Sequence, residues 1–185
     1  PPAPPEDTST FGENFQRTMT LLATSTPQHR HKVKILFYGQ SITEGAWWKA
    51  VAADLRERFP HADLEIVNRA IGGFASQRLY RVAEHDVPAL YPDLVIFHVY
   101  GAHTTYEMLI QMIRSRTAAE IAIWTDHVGR NNKKNDKGEY VDEGWTEFMA
   151  KFIRQTAQKY NCGYVEIREP YKRYLYEHQL EAGEL

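Results

Sequence analysis

The chain has 185 residues, with 22 Lys plus Arg against 24 Asp plus Glu and a formal charge of −2. A chain of this length buries roughly 70% of the surface its unfolded form exposes, so a single domain holds a core without disulfide or metal. The near-neutral balance argues against a general nucleic-acid binder, which carries a basic stripe; Cys162, the one cysteine, excludes an intrachain disulfide; and no run of 18 apolar residues is present to span a membrane.

Pro1 to Thr10 holds four prolines and no apolar stretch of the kind a signal peptide needs. Residues 1–32 are expected to form a flexible or irregular arm, with a short helix somewhere in Phe11 to Leu22. The proline-rich start leans toward export, to a secreted or periplasmic location in a bacterium, and leaves a cytoplasmic one open.

The periodic part begins at Val33. Val33 to Tyr38 is a nearly continuous apolar run closing at Gly39, as a strand buried on both faces requires. Trp48, Val51, Ala52, Leu55 and Phe59 follow on one helical face, which Pro60 ends. Leu64 to Val67 is the second strand, and its continuation, Asn68 to Gly73, runs into a glycine turn. Ser76 to His85 is helical. Asp93 to Tyr100 is the third strand. Tyr106, Leu109, Ile110 and Ile113 mark another helix, and Ile121 to Trp124 the fourth strand. Arg130 to Gly138 is a polar loop, expected to move. Trp145, Phe148, Met149, Phe152, Ile153, Ala157 and Tyr160 form the longest helical stripe. Gly163 to Ile167 is the fifth strand, and a charged helical tail closes the chain.

Strands alternating with helices predict right-handed crossovers and a three-layer α/β/α sandwich around a mostly parallel five-stranded sheet. Ligands of such sheets sit beyond the carboxyl ends of the strands. Four segments lie there: Gly39 to Thr43, Asn68 to Gly73, Tyr100 to Thr104 and Thr125 to Val128.

Within them, Ser41 can project into the crevice beside helix N–H groups that favour developing negative charge. The competing reading is a serine that caps a helix. Position 43 is Thr43, so this is not the Gly-x-Ser-x-Gly elbow. Gly72 and Gly73 let backbone N–H approach a ligand, or make an ordinary turn. His103 is an oxyanion donor, a base or polar surface. Asp126 and His127 are adjacent, so at most one faces the crevice if the strand persists. Trp47 and Trp48 either line an acyl or sugar pocket or join the core, and Trp48 has the helical phase of a core residue. Aromatics stack on sugar rings, though most in any domain are core. His29, His31 and His178 are read as solvated. No His, Cys or Asp cluster has metal-ligand spacing, and no phosphate-binding loop of Walker or Gly-x-Gly-x-x-Gly form is present.

Together these segments resemble the SGNH (GDSL-like) hydrolases. Ile35 to Thr43, with Gly39-Gln40-Ser41-Ile42-Thr43, resembles the first block of that family. Asn68-Arg69-Ala70-Ile71-Gly72-Gly73 resembles the second, and Pro92 to Thr104 the third, all in family order. The resemblance covers Val33 to Ile167. It implies an SGNH/flavodoxin-like fold, a Ser41 nucleophile, an oxyanion hole that includes the Gly73 N–H, no cofactor, and hydrolysis of esters, by family tendency O-acetyl groups on carbohydrate.

Three departures stand out. Gln40 replaces an Asp, as in some carbohydrate acetylesterases of the superfamily. His103-Thr104 stands where the family has Asn-Asp, so His103 would have to donate to the oxyanion through an inward N–H. Nothing after Ile167 reads Asp-x-x-His, the block that supplies base and orienting acid. The domain over 33–185 is therefore read as lacking that block, with His127 the candidate substitute base and Gln40, Gly72, Trp47 and Asp126 as candidate substrate contacts. Two rival readings remain: a non-catalytic ester- or glycan-binding module on the same fold, and a flavodoxin-like nucleotide or flavin binder.

Overall fold

A computed structural model of the chain describes residues 12–183. Pro1 to Thr10 and Phe11 therefore lie outside the described residues. Five parallel strands, β1 (Lys32–Gly39), β2 (Asp63–Asn68), β3 (Leu94–His98), β4 (Glu120–Trp124) and β5 (Gly163–Val165), form one sheet in the order β2-β1-β3-β4-β5. Seven helices accompany them: α1 (Gln16–Ala23), α2 (Ser41–Glu44), α3 (Trp47–Arg58), α4 (Ser76–Leu90), α5 (His103–Arg116), α6 (Gly144–Lys159) and α7 (Arg168–Glu177). This is the expected three-layer α/β/α sandwich.

The alternation of β1 explains the layers. Leu36 and Tyr38 face a core shared with Val95, Phe97, Ile121 and Ile123 and with the buried stripes of α4, α5 and α6. Val33, Ile35 and Phe37 point the other way, toward Leu22 of α1 and toward Trp47, Trp48 and Leu55 of α3. A strand covered on both faces needs apolar residues at successive positions, which is why β1 reads as a continuous run.

The helical stripe of α5 is buried as its spacing demands: Tyr106, Leu109, Ile110 and Ile113. The expectation for α3 is met in part. Ala52 is buried, but Val51 is exposed, and Trp47 joins Trp48 against the core. The stripe of α6 is buried from Met149 onward, while Trp145 and Phe148 stay exposed. β3 stops at His98 and β5 at Val165, both short of the expected Tyr100 and Ile167. β5 stops because Glu166 turns its carboxylate to Thr125 Oγ1, at 2.7 Å, and to the Arg168 N–H, at 3.1 Å.

The helix expected in Phe11 to Leu22 is present as α1. Its free N–H groups at Arg17 and Thr18 donate to the Glu120 carboxylate at 2.9 and 2.8 Å, a negative charge at a helix N-terminus. Arg17 also reaches the Asp93 and Ala118 carbonyls, each at 3.0 Å. The polar stretch after β4 is tied by a bridge between Lys134 and Tyr140 and by Asn135, whose side chain accepts the Lys137 and Glu139 N–H groups at 3.0 Å.

Where β1 leaves the sheet, Gly39 pairs with His98, and any Cβ on Gly39 would run into the His98 carbonyl oxygen and Thr43 Oγ1. Backbone cannot retreat as a flexible side chain can. Gly39→Ala is expected to lower stability by about 2–3 kcal/mol, measured as a fall in the urea midpoint with the slope unchanged.

Candidate functional site

The chain turns from β1 outward to β2, then crosses back to β3, β4 and β5. The carboxyl ends of β1 and β3 therefore flank the switch point, where open α/β sheets bind ligands. Ser41 stands there as the first residue of the one-turn helix α2, exposed, directly after buried Gln40. Among the described residues its Oγ makes no hydrogen bond to a histidine or to any other group.

Two contacts pin the Asn68 to Gly73 segment beside that turn, and a third holds its shape. Asn68 Nδ2 donates to the Thr43 carbonyl at 2.8 Å, and its Oδ1 accepts the Ala70 N–H at 2.8 Å. The Ile71 N–H donates to the Gly39 carbonyl at 3.0 Å. Glu44 lies over Gly72, where a Cβ would sit 2.6 Å from its carboxylate. Gly73 follows, exposed, with φ +76°, a backbone shape that favours glycine. The Ser41 turn and the glycine pair are thus brought together.

The remaining candidates are placed differently. The His103 ring lies on α6, stacked 3.6 Å from Phe152 and 4.6 Å from Phe148, with Nε2 3.1 Å from Met149 Sδ. That packing, rather than an inward N–H, is what the structure gives it; desolvation holds its pKa below the usual histidine value. Trp47 packs edge-on against Phe37 and Trp124, at 5.5 and 5.4 Å, and its indole N–H donates to the Ile42 carbonyl at 2.5 Å. It is a wall behind the Ser41 turn. His127 is exposed, its ring 5.8 Å from that of Tyr171. His29 and His31 meet edge to face at 4.4 Å, and His178 stacks on Tyr174.

The Asp126 carboxylate is committed to an internal network. It accepts from the Tyr100 hydroxyl in a short hydrogen bond and pairs with Arg168 Nη1 at 3.3 Å. Burial, and then Asp126, push the Tyr100 hydroxyl far above its ordinary pKa, so it remains a donor. Arg168 is fully buried and also binds Asp142 at 2.6 Å and the His127 carbonyl at 3.0 Å. Lys172 reaches Asp142 at 3.2 Å. Burial raises the Asp142 pKa, but Arg168 and Lys172 outweigh it and hold the carboxyl below its usual range.

His98, unmarked in the sequence, sits beneath the crevice. It is buried against Trp124 and Tyr100, with Nδ1 2.9 Å from the Trp124 carbonyl. A carbonyl only accepts, so Nδ1 carries the proton and Nε2 is left as an acceptor. Nε2 and the Trp124 indole N–H have no partner among the described residues. Burial pushes the His98 pKa down to about 4, against the pull of Asp126. Among the described residues no group of three or more His, Cys, Asp or Glu is placed to hold a metal ion. No described helix is long and apolar enough to cross a membrane.

No protein-family model matches the chain, and no curated protein sequence does. Solved structures do. An acetyl xylan esterase, AlAXEase, is 23% identical, covering 80% of this chain and 83% of its own, with a TM-score of 0.65. A GDSL-like lipase structure from Parabacteroides merdae is 18% identical over 79% of this chain and 82% of its own, at a TM-score of 0.67. The chain shares the fold of these two structures, a parallel sheet between helical layers. A two-domain esterase active on acetylated mannans is similar as well, at 22% identity over 92% of this chain and a TM-score of 0.68, but this chain spans only 45% of its length.

Two outcomes follow from the site's electrostatics. Arg168→Met strands Asp126 and Asp142 without their buried partner and is expected to cost about 3–5 kcal/mol, measured by urea unfolding at pH 7. The second concerns His98. Unfolded, it takes up a proton near pH 6.5, whereas folded it resists until about pH 4. Its contribution to stability is therefore complete above the unfolded value and is lost as pH falls from 6.5 toward 4, at up to about 1.4 kcal/mol per unit. His98→Phe is expected to flatten the stability profile between pH 5 and 6.5, in denaturant melts of both proteins across that window.

Proposed function

We propose that the chain is a serine esterase that removes O-acetyl groups from carbohydrate. The observation that carries the reading is the exposed Ser41, with an uncommitted Oγ, fixed at the switch point beside Gly72 and Gly73. Likeness in fold to an acetyl xylan esterase and to an esterase active on acetylated mannans supports the choice of substrate.

In this reading Ser41 Oγ attacks the acetyl carbonyl as its proton passes to a histidine. The N–H groups of Ser41 and Gly73 take the oxyanion, each such donor lowering the barrier by roughly 3 kcal/mol in comparable enzymes. Collapse releases the sugar hydroxyl, which regains the proton, and water then frees acetate from Ser41. His127 is the exposed histidine at the carboxyl end of the sheet and our candidate for the base.

One observation favours a second reading, a binding module without turnover: no described histidine bonds Ser41 Oγ. Hydrolysis of p-nitrophenyl acetate separates the two. Ser41→Ala is expected to lower the rate at least about 1000-fold, and His127→Ala to lower kcat with KM unchanged. A rate that His127→Ala leaves intact removes His127 from the role. If the unaltered chain does not exceed Ser41→Ala, the esterase reading fails and the binding module replaces it.

A further inference from the structure

The apolar stripe of α6 continues past the core it covers. Met149, Phe152 and Ile153 are buried, but Trp145 and Phe148, two turns and one turn nearer the helix start than Phe152, are 57% and 53% exposed. Their rings lie 5.7 Å apart with planes inclined at 43°. Phe148 is backed by the His103 ring at 4.6 Å, which is itself stacked on Phe152 at 3.6 Å. Three aromatic side chains and a histidine thus form a braced shelf, of which two ring faces are open.

The shelf stands at the same end of the sheet as Ser41. Helices in right-handed crossovers run opposite to the strands, so the first turns of α5 and α6 lie at the carboxyl ends. His103 opens α5 just beyond β3, one of the two strands that flank the switch point. Free energy is lost by leaving two large aromatic faces in water, and nothing among the described residues covers them.

We infer that Trp145 and Phe148 form a stacking subsite for a pyranose ring of a neutral glycan. The inference rests on the carbohydrate reading proposed above and adds where the sugar chain lies. An aromatic face is electron-rich, and the C–H face of a pyranose presents apolar, weakly positive hydrogens that match it. Hydroxyls at the ring edge meet polar groups on the same turn, including exposed Glu147. The size also fits a sugar better than a protein. Two half-exposed aromatic side chains offer roughly 200 Å², about a quarter of the 800 Å² per partner that a standard protein interface uses.

The test is calorimetric titration of unacetylated xylohexaose and mannohexaose into the chain and its Trp145→Ala and Phe148→Ala variants. p-Nitrophenyl acetate hydrolysis and sedimentation equilibrium are measured on the same samples. Both side chains are more than half exposed, so the variants are expected to fold. At least one oligosaccharide should bind the unaltered chain, at least tenfold more weakly each variant, with p-nitrophenyl acetate turnover unchanged. Glycan binding lost in the variants while no chain hydrolyses the ester supports the subsite and overturns only the esterase reading. No binding by the unaltered chain, equal binding by all three proteins, or variants that change only a monomer–dimer equilibrium would overturn the subsite.

Discussion

Where β1 and β3 leave the sheet, the backbones of Gly39 and His98 come so close that no side chain fits between them. The rest of the crevice follows from that approach. Thr43 Oγ1 donates to the same His98 carbonyl at 3.3 Å, which draws the Ser41 turn down onto β3. The Ile71 N–H then takes the Gly39 carbonyl and brings the glycine pair alongside. A polar hinge of backbone and two short side chains thus sets Ser41 relative to Gly73, with Trp47 as a wall packed edge-on against Trp124, and His98 against Trp124 below.

Much of the fold was legible because it depends on local period. β1 reads as a buried parallel strand since both of its faces are covered, and α5 reads as a helix since all four apolar positions reach the core. The order of segments around Ser41, Gly73 and Tyr100 to Thr104 was legible in the same way, from strand ends alone. What escaped was long-range. Trp47 and Trp48 both appear on a helix start, and only the cross-sheet contact with Trp124 makes Trp47 a wall. His103 follows a strand end, yet its ring is captured by α6, about one helix and one strand further along the chain. His98 looked like one more residue of β3; its burial depends on Trp124 from the neighbouring strand. Arg168 fell in a tail read only as charged and helical. Its spacing with Lys172 and Leu175, at i, i+4 and i+7, was the available signal of an inward face, and the partner of both cations, Asp142, lies a whole helix and strand upstream.

The Arg168 network shows why a buried cation is tolerated here. Two carboxylates, two cations and a tyrosine hydroxyl close a neutral set, so no uncompensated charge is left in low dielectric. Such a set gains little net stability over apolar packing, but it admits few alternative arrangements. It joins the ends of β3, β4 and β5, the three strands whose following loops carry Tyr100, His127 and α7. Removing one member therefore disturbs the rim of the crevice together with stability.

The helix α1 binds the opposite end of the sheet. It is the first described α-helix, yet its N-terminal N–H groups find their carboxylate at Glu120, 103 residues later for Arg17, and Asn14 just ahead of it donates to the Cys162 carbonyl across 148 residues. Phe15 fills the space above Gly163 that a side chain would need. During synthesis at roughly 5–20 residues per second, the segment leaves the ribosome and waits on the order of 5–20 s before its acceptor emerges. For that interval β1 and β2 are made but the layer that covers them near Leu22 lacks its helix-start acceptor, with only Asp93 reaching Arg17 earlier. The α1 segment is thus among the last of the described residues to be locked, and the nascent protein depends on the α3 side of its core to hold β1 until β4 arrives.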